Sequence, residues 1–187
     1  MISSLIFALS SNLDNFVVGL TYGIKKIKIN LTSLFLIAFI TTLGTVISMS
    51  LGKLVVYFIS VKDANIIGGL ILILLGIWTI IKYYLNLSDI LSNPEIVDRD
   101  KSLTIDSKEA TVLALALSMN NIGLGLGASI SGLSLFITAI STFVFSIILM
   151  MVGRLIGKKY FPKSLESKAT LFSGILIIIL GIYEIYH

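Results

Sequence analysis

Apolar runs long enough to cross a bilayer follow one another along this chain, with short basic loops between them. That pattern restricts the fold to a bundle of membrane-crossing helices. Of its 187 residues, 56% are hydrophobic and 13% charged, at a mean hydropathy of +1.03. A soluble domain carries about a quarter charged residues, so no soluble core needs to be sought. The chain has no cysteine, which excludes disulfides, thiolate metal sites and cysteine nucleophiles. Its single histidine is His187, so histidine catalysis and zinc binding are not expected. The net charge of +4 lies in loops between spans and is no nucleic-acid footprint. No basic n-region or small-x-small cleavage site precedes Asp14, so the first span reads as a retained helix.

Six spans are expected: 2–24, 31–59, 64–85, 109–130, one ending near Gly157, and 167–186. Residues 86–108 are polar, contain Pro94 and form the one real linker. Of the 14 basic residues, only Lys53 and Lys62 fall on the side opposite Lys25, Lys26, Lys28, the linker and Lys158-Lys159. Positive residues stay cytoplasmic, which puts the linker inside and both termini outside the cytoplasm. Lys53 and Arg154 close the second and fifth spans as snorkelling charges. Glu184 reads as an interface anchor beside Tyr183 and Tyr186, with a proton relay as the alternative.

The two halves repeat. Ala8-Leu9-Ser10-Ser11-Asn12-Leu13-Asp14-Asn15 aligns without gaps with Ala114-Leu115-Ala116-Leu117-Ser118-Met119-Asn120-Asn121. Ser33-Leu34-Phe35 matches Ser134-Leu135-Phe136, Gly52-Lys53 matches Gly153-Arg154, and Gly69 and Gly76 match Gly174 and Gly181. Three spans per copy is an odd number, so the second copy enters the membrane from the opposite face. The fold class is therefore all-α: a polytopic membrane protein of six helices in two inverted repeats, 1–85 and 109–187. Such repeats typify secondary transporters, which bind substrate near the midplane where the copies meet.

Asp14 lies near the middle of the first span, where a carboxylate costs about 3 kcal/mol on insertion scales and is usually kept for function. Inversion sets Asp14 and Asn120 at similar depth on antiparallel helices. With Asn15, Asn121, Ser10 and Ser118 they make an oxygen-rich set without sulfur or imidazole. That chemistry suits a hard cation such as Mn²⁺ or Mg²⁺. The bland alternative is that these amides and Asp14 bond one another across the bundle. Gly19, Gly23, Gly123, Gly125 and Gly127 serve either close helix packing or local unwinding.

Leu13-Asp14-Asn15-Phe16-x-Val18-Gly19, Ser118-Met119-Asn120-Asn121 and the spaced glycines closing each half resemble the MntP family of manganese efflux pumps, within the LysE-like exporters. The likeness is greatest to the YtaF branch of sporulation membrane proteins. The resemblance implies a six-span exporter in the cell membrane with midplane acids in spans 1 and 4. This chain departs from that pattern at Asn120, which stands where the second acid is expected, so a divalent cation would meet one negative charge and not two.

The linker ends in a second pattern. Asp98, Asp100, Ser102, Thr104, Asp106 and Glu109 fall at positions 1, 3, 5, 7, 9 and 12 of a twelve-residue loop, with Ile105 at position 8, which is the EF-hand calcium order. Leu103 stands where that loop needs a left-handed glycine. The alternative is a capping box, Asp106 with Glu109, starting span 4, on an otherwise solvated linker.

The expected function is a secondary exporter of a cation, manganese or another divalent metal. Its partners are the bilayer and the cation, with no permanently bound cofactor and with calcium in the linker as a further expectation. The alternatives are a structural or assembly membrane protein used in sporulation and an exporter of a small organic solute. An enzyme is not expected, because a lone aspartate among amides offers no nucleophile-base pair.

Overall fold

The computed structural model describes residues 1–58, 60–85, 97–98, 100–159 and 163–186; within its helices the side chains of residues 55, 61, 82, 83, 120 and 163–170 lie outside the description. Pro94, Arg99 and His187 fall outside it too, and so does the side chain of the expected ligand Asn120. The helices are α1 (Ile2–Ser11), α2 (Leu13–Ile24), α3 (Leu31–Val56), α4 (Val61–Tyr84), α5 (Ser107–Ile130), α6 (Leu135–Lys159) and α7 (Lys163–Tyr186). Two short strands, β1 (Lys28–Ile29) and β2 (Thr104–Ile105), complete the described elements.

Helices dominate because apolar surroundings leave backbone groups no partner but each other. By length and composition, 2–24, α3, α4 and α6 can cross a membrane, and α5 makes a fifth if its bent halves count as one span. In α7 the apolar stretch among the described residues is Leu171–Tyr186.

Large apolar side chains line the outside in a repeated order. On α3, Phe35, Phe39, Leu43, Ile47 and Leu51 are exposed, and on α6 so are Phe136, Ile140, Val144, Ile148 and Val152. On α4, Ile67, Leu70, Leu74, Ile77 and Trp78 are exposed, as are Phe172, Ile175, Ile179, Ile182 and Tyr183 on α7. Each position on α6 or α7 is the one that the sequence repeat pairs with its counterpart on α3 or α4. Apolar stripes of this extent face lipid, since water-soluble monomers rarely expose them.

The inner faces meet through small residues. Without a hydrophobic drive between helices in lipid, association rests on close backbone packing. A Cβ on Gly19 would collide with the Met150 carbonyl oxygen, and one on Gly23 with that of Arg154. From the other side, a Cβ on Gly153 or Gly157 would strike the carbonyl oxygens of Phe16 or Leu20. Between α4 and α7 the contacts are reciprocal. A Cβ on Gly69 would lie 2.6 Å from the Gly181 oxygen and one on Gly181 would lie 2.6 Å from the Gly69 oxygen; Gly76 and Gly174 meet in the same way, at 2.7 and 2.9 Å.

These contacts also give directions. Asn15 meets Ser146, Gly19 meets Met150 and Gly23 meets Arg154, so α2 and α6 run parallel. Gly44 meets Ser118, Ser48 meets Ile122 and Gly52 meets Leu126, so α3 and α5 run parallel. The crossed glycines of α4 and α7 make that pair antiparallel.

The end of the linker is more ordered than the solvated linker of the alternative reading. Here β2 pairs in parallel with β1, Lys28 opposite Thr104 and Ile29 opposite Ile105. Ile105 is fully buried, in a cluster with Tyr22, Ile27, Val97, Ala110 and Leu113. The Ser33 hydroxyl donates to the Ile105 carbonyl at 2.9 Å. Apolar Ile27, Val97 and Ile105 fold this corner against the ends of α2, α3 and α5.

Candidate functional site

The first span is not one continuous helix. It breaks at Asn12, whose backbone (φ −109°, ψ 9°) ends α1 and begins α2. Asp14 is thereby set in the first turn of α2. The N-terminal end of a helix favours negative charge, and half-helices opening inside a membrane are a recurrent way to build an ion site. Asp14 is partly buried, and its Oδ1 accepts the Asn15 backbone N–H at 2.8 Å.

Side-chain bonds hold the break in shape. Asn12 Nδ2 donates to the Ala8 carbonyl at 2.7 Å, and Asn15 Nδ2 donates to Asn12 Oδ1 and to Ser146 Oγ on α6, each at 2.9 Å. Asn15 Oδ1 is buried and has no hydrogen-bond partner, and the same holds for Thr138 and Thr142 hydroxyls on α6. Thr138, Thr142 and Ser146 recur every fourth residue, which makes one buried polar stripe on α6. Buried polar atoms normally find partners, so this stripe and Asn15 form a place with acceptor capacity to spare.

The second copy of the motif has matching features. Helix α5 bends by 41° between Ser107–Met119 and Asn121–Ile130, at the position aligned with Asp14. Asn121 is buried and its Oδ1 has no partner, as at the aligned Asn15. Ser10 and Ser118 are buried, but each hydroxyl donates back to its own helix at 2.8 Å, to Ile6 and Leu115 respectively. They retain lone pairs and no donor for a ligand. Asn12, Ser146, Thr138 and Thr142 escaped the sequence reading, although Asn12 stands inside the quoted motif; Ser146 lies 131 residues from Asn15 and carried no local signal.

Glu184 is only 8% exposed, while Tyr183 and Tyr186 beside it are open, so the tyrosines fit an interface belt better than the acid does. Lys53 lines a cavity of about 510 Å³ with Val56, Tyr57, Ser129 and Leu133. That lining holds one cation and no carboxylate, so it offers nothing to a metal.

Three acids at the end of the linker come together. Oxygens of Asp98, Asp100 and Glu109 lie within 4.8 Å of one another. Asp98 and Glu109 are 6% and 8% exposed. Backbone N–H groups of Ser102 and Leu103 donate to Asp98 at 3.1 Å each. The Ser102 N–H also reaches Asp100 at 2.9 Å, and this bond holds the Asp100 carboxyl below the usual carboxylate range. Ser102 Oγ donates to the Thr104 carbonyl at 3.0 Å. Asp106 and Glu109 form the full capping box, with bonds of 2.8 and 3.2 Å. The helix cap is thus formed by Asp106 and Glu109, and of the six residues in the twelve-residue pattern only Asp98, Asp100 and Glu109 are gathered.

Leu103 adopts φ 58°, the left-handed turn for which glycine is the natural residue. That conformation costs a side chain roughly 1–2 kcal/mol. Leu103 is 52% exposed, so its side chain contributes little packing in return. Leu103→Gly is expected to stabilise the protein by up to about 1 kcal/mol after glycine's own entropy cost, seen as a raised midpoint of thermal unfolding in detergent. A lowered midpoint would contradict the turn.

Long apolar helices and outward apolar stripes define a polytopic membrane protein, and its first apolar segment carries the carboxylate of Asp14. The family model described as "Mntp: Putative manganese efflux pump" matches residues 1–80 and 91–185, and the chain belongs to that family. It is also similar to "Probable sporulation protein YtaF" of Bacillus subtilis (strain 168), at 31% identity over 208 residues and 99% of each chain. No solved structure matches it.

Proposed function

We propose that this protein is a six-span secondary exporter of a divalent cation, manganese first, working by alternating access in the cell membrane with both termini outside the cytoplasm. The observation that carries the proposal is the break at Asn12. It sets Asp14 in the first turn of α2, and the next residue, Asn15, keeps a buried side-chain oxygen without a partner. Asp14 is the principal ligand and alternates between cation and proton. Asn15, Asn121 and Asn120 complete the site with amide oxygens, Ser10 and Ser118 border it, and Asn12 and Ser146 hold Asn15 in place.

The inverted repeat draws support from the helix directions. Six alternating crossings make the first and fifth spans parallel, the second and fourth parallel, and the third and sixth antiparallel, as the packed pairs are. A two-fold relation between the halves requires reciprocal contacts, and the crossed pairs Gly69–Gly181 and Gly76–Gly174 are of that kind. Twin halves able to rock about a shared axis suit alternating access.

The test is flux in proteoliposomes. Purified protein should carry Mn²⁺ down an imposed gradient, and Asn120→Asp should tighten Mn²⁺ binding about tenfold or more by adding a second charge to the site. No flux above protein-free vesicles would sink the exporter and favour the assembly role in sporulation suggested by the relative's name. Flux of an organic solute that Mn²⁺ does not compete with would favour the solute exporter.

A further inference from the structure

We propose that the corner formed by Asp98, Asp100 and Glu109 is a second, regulatory site for a hard divalent cation, calcium in the first place, separate from the membrane site. Three carboxylates are gathered there with oxygens within 4.8 Å of one another, two of them nearly buried. A divalent cation shared by carboxylates this close lowers the cost of holding like charges together. The donors are all oxygen, which suits Ca²⁺ over softer metals.

An independent observation comes from another helix. Tyr22 on α2 is fully buried, and its hydroxyl has no hydrogen-bond partner. It packs in one cluster with Val97, Ile105 and Ala110, the neighbours in sequence of Asp98, Asp106 and Glu109. The charges of Glu109 and Asp98 act on its phenol. A buried hydroxyl normally keeps a partner, and the oxygen shell of a cation bound to these acids would supply one.

The site is placed to act on the transport helices. Glu109 caps α5, which carries the Asn120-Asn121 motif, and Tyr22 belongs to α2, which carries Asp14. β2 lies between these ends and is paired to β1, in the loop from α2 to α3. A cation drawing the three acids together would therefore tie the ends of α2 and α5. The regulatory role rests on the exporter reading, whereas binding at this corner does not.

The test uses the full-length protein in detergent and terbium(III), a hard cation whose emission is excited through nearby tyrosine. Saturable emission displaced by Ca²⁺ at lower concentration than by Mn²⁺ or Mg²⁺ is expected. Asp100→Asn, at an exposed position, should weaken terbium binding about tenfold, because affinity follows the ligand charge count. Glu109→Gln keeps an oxygen for the Asp106 N–H and so preserves the cap; it should weaken binding as much. Tyr22→Phe should cut the sensitised emission by more than half. Asp14→Asn should leave all of this unchanged, so the site can stand even if the exporter reading falls. Absence of saturable emission, emission indifferent to Asp100→Asn and Glu109→Gln, or displacement by Mn²⁺ ahead of Ca²⁺ would overturn the proposal.

Discussion

Asp14→Asn is expected to abolish manganese resistance in a sensitised strain, down to the level of the empty vector, without lowering the amount of protein in the membrane. The substitution is nearly isosteric. Its amide oxygen can still accept the Asn15 N–H that Asp14 Oδ1 accepts at 2.8 Å, so the first turn of α2 should survive. What it removes is the charge. Breaking a buried ion pair by neutralising one partner costs roughly 3–5 kcal/mol, and each 1.4 kcal/mol is about a factor of ten in affinity. A cation site built on Asp14 should therefore weaken by about a hundredfold or more. Resistance equal to the parent's, at equal abundance, would remove Asp14 from the mechanism. The same measurement on Ser146→Ala should show a smaller loss, because Ser146 positions Asn15 through one bond and bears no charge.

Gly153→Ala is expected to have the second large effect, on the folded state. The added methyl would collide with the Phe16 carbonyl oxygen and lie 2.9 Å from the Leu20 nitrogen, both backbone atoms of α2. Backbone cannot step aside as a side chain can, so α2 and α6 must separate. Overpacking of this kind costs roughly 1–3 kcal/mol or more. The separation would also pull Ser146 from Asn15 at the site. Gly123→Ala is the control. Its methyl would meet only Leu75 side-chain carbons, at 3.5 and 3.6 Å, an ordinary contact. Alanine is the better helix former by about 1 kcal/mol, so Gly123→Ala should be neutral or mildly stabilising. Thermal unfolding and monodispersity in detergent read both variants. Should Gly123→Ala keep its stability and lose transport, the glycine would be serving local unwinding of α5.

The contrast explains how the glycines read in the sequence. Their spacing predicts close helix approach without saying which of them touch backbone. Gly19, Gly23, Gly153 and Gly157 do, and Gly123 does not. The pairing of Gly69 with Gly174 along the repeat was legible as an alignment, but the physical contact is the crossed one, Gly69 with Gly181.

Sequence alone determined what depends on composition and local order: the membrane class, the apolar runs, the repeat, the family likeness, and Asp14 as an acid set within an apolar run. These follow because burying charge in a bilayer is costly, so exceptions stand out against an apolar background. Only the tertiary structure decided the break at Asn12, the grip of Ser146 on Asn15, and the gathering of Asp98, Asp100 and Glu109. A single residue leaving the helical region barely disturbs the periodicity around it, and partners far apart in the chain share no local pattern. Their meeting depends on which helix faces fit together.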